Sequence, residues 1–343
     1  MFGGQMRVLE VFGDSADLGR GHGSACAEMI VKYTNERIRL TTQEDWSGGA
    51  AARDLILSCA DETLAHHERF SESLYSEMLA MASAAGITPQ EAVAVGGFTD
   101  LVDLVRSRIG ISGEEHNCTG IINPATGLFA QTWDMHASAG EFVIMLKIDP
   151  LMGPDAFVQT TAGCLGQIGV NEAGIAVGIN NLTSMGRPGV TWPFVVRKVL
   201  EQTDFDDATK VILDAELAGG HNYFLMGPDG DGATIEAMPG NKRVTRTNGK
   251  PVVHANNCLY PETKAEEALR LQEWVMNSDE RLRLGEQYTD DVDAFFADPT
   301  ISRRVDDLDA VGTCGAVIIE PATRTMRAVW GVPGDHPWET FQL

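Results

Sequence analysis

Apolar positions recur at helical spacing through residues 14 to about 106 and at strand spacing after about residue 118. The runs SACAEMIVKYTNERIRL (24–40) and ESLYSEMLAMASAAG (72–86) predict helices, and the second meets Gly86 where a helix C-cap is expected. Thr88, Pro89 and Glu91 form a start signal for a further helix over TPQEAVAVGGFTDLVDL (88–104). Short β-prone runs then follow: LFAQTWDMH (128–136), EFVIMLKID (141–149), AFVQTTAG (156–163), IAVGIN (175–180), YFLMG (223–227), ATIEAM (233–238) and PVVHAN (251–256). Turn sequences separate them, namely NPATG, NEAG, GPDGDG and TNGK. Helical stretches interrupt the strands at 192–202, 206–217 and 263–284, and the last strands are GAVIIEP (315–321) and TMRAVWG (325–331).

Antiparallel strands in groups with helices between them predict an α+β layered fold rather than a βαβ alternation. No repeat of fixed period and no low-complexity linker is seen. At 343 residues with 43% hydrophobic and 22% charged positions, the chain has the composition of a globular protein with a large core. The net charge of −23 argues against nucleic acid or an anionic membrane as partner. No apolar run reaches transmembrane length, and the opening MFGGQMRVLEVFGDSADLG lacks a signal-peptide pattern, so the expectation is a cytoplasmic protein.

The six cysteines form neither a CxxC pair nor a zinc-ligand cluster, which predicts no disulfide framework, metal or cofactor. Five sit among small or apolar neighbours; Cys118, in GEEHNCTGIINP (113–124), has polar flanks at the boundary between the helical and the strand-rich part. A cysteine that became a chain N-terminus would hold a thiol beside an α-amine of pKa about 7.7–8.0, a nucleophile with its own base.

In order along the chain, NCTG (117–120), AQTWDMH (130–136), GVNEAGIAVGINNL (169–182), HANNCLYP (254–261) and the C-terminal CGAVIIEPATRTMRAVWG (314–331) resemble motifs of the N-terminal nucleophile hydrolases. The match is to the penicillin acyltransferase (peptidase C45) group, related to choloylglycine hydrolases, and GRGHGSA (19–25) and AAGITPQEAVAV (84–95) fit it as well. The resemblance implies a four-layer αββα sandwich with a helical N-terminal segment. It implies self-cleavage between Asn117 and Cys118, before Thr119, into 1–117 and 118–343, both held in one fold. It implies a small-molecule amide substrate and no cofactor. Cys118 would be the nucleophile and Asp134 a carboxylate beside the catalytic amine. Asn256 with Asn180 or Asn181 would supply oxyanion donors. Gln131 stands where the bile-acid enzymes carry an arginine, and Arg303 is the candidate for a later family arginine.

Amide hydrolysis through a Cys118 thioester and transfer of the same acyl group, from an amide or acyl-coenzyme A to an amine, both remain open. A Cys–His triad is the rival mechanism, with His116, His136 and His254 near the candidate residues; a non-enzymatic ligand-binding scaffold is the third reading. The cleaved fragments are expected to stay together as a heterodimer, and higher oligomers are left open.

Overall fold

The computed structural model describes residues 5–110 and 118–343. The chain opens with a strand, β1 (Val8–Gly13), followed by the helices α1 (Ser15–Ala25), α2 (Ala27–Thr41), α3 (Glu44–Ser47), α4 (Arg53–Phe70), α5 (Glu72–Ala85), α6 (Pro89–Gly96) and α7 (Phe98–Ile109). After Cys118 come β2 (Thr119–Asn123), β3 (Leu128–His136), β4 (Val143–Pro150), β5 (Ala156–Thr161), β6 (Ile168–Asn171) and β7 (Ala176–Leu182). The helices α8 (Trp192–Val199) and α9 (Phe205–Asp214) precede β8 (Gly220–Met226), β9 (Gly232–Ala237), β10 (Lys242–Arg246) and β11 (Val252–His254). Then follow α10 (Pro261–Lys264), α11 (Gln272–Gln287), α12 (Val292–Ala297), β12 (Val311–Glu320), β13 (Thr325–Trp330) and β14 (Glu339–Gln342).

The strands form two sheets, in the orders β1-β4-β5-β6-β7-β8-β9-β10 and β11-β2-β3-β12-β13-β14. Period-2 alternation decides which residue enters which layer. On β4, Val143 and Met145 point between the sheets, while Ile144, Leu146 and Ile148 pack under the helices. On β12, Val317 and Ile319 point between the sheets, and Ala316 and Ile318 meet Leu284, Phe295 and Phe296 of α11 and α12. Three apolar layers therefore separate four structural ones, the predicted αββα sandwich. No helix among the described residues is long and apolar enough to cross a membrane.

The helix signals act as predicted. Thr88 Oγ1 accepts from Glu91 N at 3.2 Å and Glu91 Oε2 accepts from Thr88 N at 2.8 Å, while Gly86 caps α5 at φ 77°. The TNGK turn has Asn248 and Gly249 at φ 47° and 77°.

Four expectations need correction. The N-terminal segment is not wholly helical, because Leu9 and Val11 turn inward on β1, which pairs parallel with β4 and breaks the all-antiparallel expectation. One helix from Thr88 is in fact two, α6 and α7, since the chain kinks at Gly97, where a Cβ would lie 2.7 Å from Thr191 Cβ. The helix expected over 263–284 stops at Lys264 and resumes at Gln272: Glu267 bridges to Ser184, and Ala268 N donates to Thr183 O at 2.9 Å. Tertiary pairing overrides propensity there. Finally, β2, β6, β10 and β14, each of four or five residues, are too short to separate from turns by pattern.

The two sheets pack closely at Gly178 on β7, where an added Cβ would lie 2.5 Å from the Phe129 ring and collide with Gln131 Oε1. Gly178→Ala is therefore expected to destabilise the protein by about 1–3 kcal/mol, read by urea unfolding; an unchanged midpoint would contradict the register of the sheet interface.

Candidate active site

Cys118 immediately precedes β2, an inner strand of the second sheet flanked by β11 and β3. It is 3% exposed, and both of its main-chain polar groups are held by side chains. Cys118 N donates to Asn256 Oδ1 at 2.9 Å, and Arg281 Nη1 donates to Cys118 O at 2.8 Å. The same guanidinium reaches Thr119 Oγ1 and Asn256 Oδ1, each at 2.9 Å. Two donors thus converge on one face of the Asn256 side chain, while its other end lies 2.9 Å from the Asn181 carbonyl. That pattern admits one amide orientation, with Oδ1 toward Cys118.

The support lies in α11. Ser278 Oγ accepts from Asn256 N at 2.9 Å, and Asn257 Nδ2 donates to Val275 O at 3.1 Å. Ser278, Arg281, Leu284 and Gly285 are the buried residues of this helix, at spacings of three, three and one. An arginine on the apolar stripe of an otherwise charged helix was the available signal for Arg281, and sequence reasoning read the segment MNSDERLRL only as helix. Arg303, the arginine singled out instead, contributes its main-chain N–H to Thr313 Oγ1 at 2.9 Å. The guanidinium against the Cys118 carbonyl is that of Arg281.

Asp134 is fully buried on β3 and accepts from Thr313 Oγ1 at 2.7 Å through Oδ1. The Cys118 sulfur faces the main-chain carbonyl of Asp134 at 3.9 Å. Burial, followed by the nearby Asp134 charge, pushes the thiol up to about 12, against the opposing pull of the Asp134 carbonyl contact and Arg281. In the uncut chain the thiol is therefore protonated at neutral pH.

Gln131 and Asn180 meet between the sheets, Gln131 Nε2 donating to Asn180 Oδ1 at 3.0 Å and to the Ile179 carbonyl. Asn180 Nδ2 is fully used by the carbonyls of His254 and Ala255, at 2.9 and 2.8 Å. Asn181 presents its main-chain carbonyl to Asn256, while neither polar atom of its buried side chain has a hydrogen-bond partner. Asn171 is the turn residue expected, its Oδ1 accepting from Ile175 N at 2.9 Å.

The Cys118 sulfur has no histidine in hydrogen-bond contact among the described residues. His254 is committed to Glu236 and to the Ala255 carbonyl, and His136 Nδ1 faces Ser138 Oγ at 2.9 Å. Asn117 and His116 lie outside the described residues. No group of three or more histidine, cysteine or carboxylate side chains suited to a metal ion is found among the described residues.

The helix, sheet, sheet and helix layers, together with the family match over residues 122–335, place the chain in the N-terminal nucleophile class. Within it, the chain belongs to the family described as acyl-coenzyme A:6-aminopenicillanic acid acyl-transferase, whose profile matches residues 122–335. A relative from Emericella nidulans, the 40 kDa form of acyl-coenzyme A:6-aminopenicillanic-acid-acyltransferase, is 28% identical over 254 residues, 72% of this chain and 68% of the relative. Among solved structures, a point mutant of the conjugated bile acid hydrolase from Clostridium perfringens is similar with a TM-score of 0.45 at 10% identity, covering 66% of this chain and 92% of that one. Penicillin V acylase from Agrobacterium tumefaciens gives 0.34 at 12% identity, covering 66% and 86%.

Thr313→Val keeps the side-chain shape but removes the hydroxyl that donates to Asp134 and accepts from Arg303 N–H. A loss of about 1–3 kcal/mol is expected from the buried groups left unpaired. Urea unfolding of the variant checks it, and wild-type stability would contradict the placement of Asp134.

Proposed function

We propose that the protein is a self-processing cysteine amidohydrolase acting on small-molecule amides through a thioester on Cys118. The observation that carries this reading is the grip of Asn256 and Arg281 on the main-chain nitrogen and carbonyl of Cys118. A nitrogen held this way, once released from Asn117, is an α-amine kept beside its own thiol.

In processing, the Cys118 sulfur attacks the Asn117 carbonyl, the acyl group moves from nitrogen to sulfur, and the peptide C–N bond breaks as the Cys118 nitrogen takes a proton. Water then hydrolyses the thioester and leaves the Asn117 carboxylate and a free α-amine. The products are 1–117 and 118–343. They would stay joined, since β1 from the first pairs with β4 from the second and the helices α1 to α7 supply much of the apolar layer over the first sheet.

In turnover, the α-amine takes the thiol proton and the thiolate adds to the substrate carbonyl. Asn256 Nδ2, engaged with the Asn181 carbonyl in the uncut chain, is the side-chain donor for the oxyanion; removing one such donor typically costs about 10²–10³ in rate. Collapse expels the amine, which takes the proton back from the α-ammonium. Water, deprotonated by the α-amine, then cleaves the thioester. Asp134 and Arg281 set the field around the sulfur with opposite signs. Capture of the same thioester by an amine instead of water is the second reading, favoured by the acyl transfer for which the Emericella nidulans relative is named.

Chromogenic anilides of short aliphatic and arylacetic acids test both. The expected result is an acyl adduct on the 118–343 fragment that neutral hydroxylamine removes, with free acid released in water alone and no adduct in Cys118→Ala. New amide formed only with an added amine would move the assignment to acyl transfer. Turnover persisting in Cys118→Ala at the wild-type rate would overturn the mechanism.

A further inference from the structure

The side chain that meets Cys118 N, Asn256, sits in a segment without regular structure between β11 and α10, and something must fix it. Three groups, one in that segment and one on each flanking element, converge on one carboxylate of the opposite sheet. His254 Nε2 lies 2.9 Å from Glu236 Oε1, Leu259 N donates to the same oxygen at 2.7 Å, and Thr263 Oγ1 donates to Glu236 Oε2. The donors stand at positions 254, 259 and 263, so the contacts bracket Asn256 on both sides. Glu236 and His254 side chains are each 1% exposed.

We infer that Glu236, bonded to His254, Leu259 and Thr263, is a positioning residue that clamps the 254–263 segment and thereby aims Asn256 at the Cys118 nitrogen. The inference rests on the reading of Cys118 as nucleophile.

The ring is engaged on both sides. Nδ1 lies 2.7 Å from the Ala255 carbonyl and Nε2 faces a carboxylate that already receives two other donors. Burial acts to raise the Glu236 carboxyl, but the bond and charge of His254, with Thr263 and Leu259, outweigh it and hold the group below its ordinary value. The next charges outward are Glu267, which accepts from Cys258 N at 3.3 Å, and Arg270, which pairs with Glu267 at 3.1 Å. Asn180 grips the same segment from β7 through the His254 and Ala255 carbonyls. The first sheet thus holds the backbone on either side of Asn256 at two points, and Asn256 reaches from there to the second.

A glutamine cannot replace Glu236. It offers one oxygen to three donors and turns an NH₂ toward at least one of them. Aspartate keeps the charge and is expected to restore part of the function.

The test uses the full chain in the Cys118→Ala background, which holds it in one covalent form. Amide hydrogen exchange is measured first, and residues 255–259 are expected to be protected from exchange. With Glu236→Gln added, the amides of residues 255–259 are expected to exchange faster. In the active protein, Glu236→Gln is expected to lower kcat about 10²-fold, the scale of a misplaced catalytic group, with KM nearly unchanged and partial rescue by Glu236→Asp. Glu236→Gln with unaltered exchange at 255–259 overturns the proposal. The exchange reading does not depend on turnover, so an inactive wild type whose 255–259 amides are protected, and released by Glu236→Gln, would overturn the amidase reading and support the clamp.

Discussion

The organisation of the site depends on the hydrogen bonds that Asn256 and Arg281 make to the main chain of Cys118. One takes the N–H and the other caps the carbonyl, at 2.9 and 2.8 Å. Side chains rarely fix a residue by both of its peptide groups, because each bond requires a polar atom buried beside a backbone that strand neighbours usually satisfy. Here Cys118 lies just before the first residue of β2, outside the ladder that begins with Thr119 pairing Thr132. Its peptide groups are left to the loop after β11 and to α11, and the order β11-β2-β3 brings both within reach.

Burying a guanidinium in that position is costly unless it is saturated with acceptors. Arg281 is 0% exposed and finds oxygens on Cys118, Thr119 and Asn256. The chain repeats the device elsewhere: Arg37 donates to the Val95 carbonyl at 2.6 Å, and Arg106 pairs with Asp103 at 3.2 Å, all of them buried. A chain of net charge −23 thus places several cations inside, against main-chain and side-chain oxygens, while acidic residues dominate its charge balance. The positive potential of Arg281 opposes that of Asp134 at one sulfur, and burial tips the balance toward the protonated thiol in the uncut chain.

Much of the fold was legible because its signals are local. The Thr88–Glu91 box, Gly86 and the Asn248–Gly249 turn each act within four residues, and the long strands β3, β4 and β12 are strongly apolar. The layered class followed from the grouping of those elements. What escaped was decided at long range. The strand β1 shows its pattern only once β4 lies beside it, and the 263–284 helix is broken by residues 183 and 184. The site divides in the same way. Cys118, Asp134 and Asn256 were visible through motifs, and the structure brings Cys118 beside both. Arg281, Thr313 and Glu236 were not, since an arginine in a charged helix, a threonine in a strand and a glutamate in ATIEAM look ordinary until their partners, 163, 179 and 18 residues away, are known.

The account turns on whether Cys118 becomes a chain terminus. The intact mass of freshly purified wild-type protein, taken beside Cys118→Ala, asks this directly. Two masses equal to residues 1–117 and 118–343 in the wild type, with a single full-length mass in the variant, are what the account predicts. A full-length mass in both, unchanged on prolonged incubation, would contradict it.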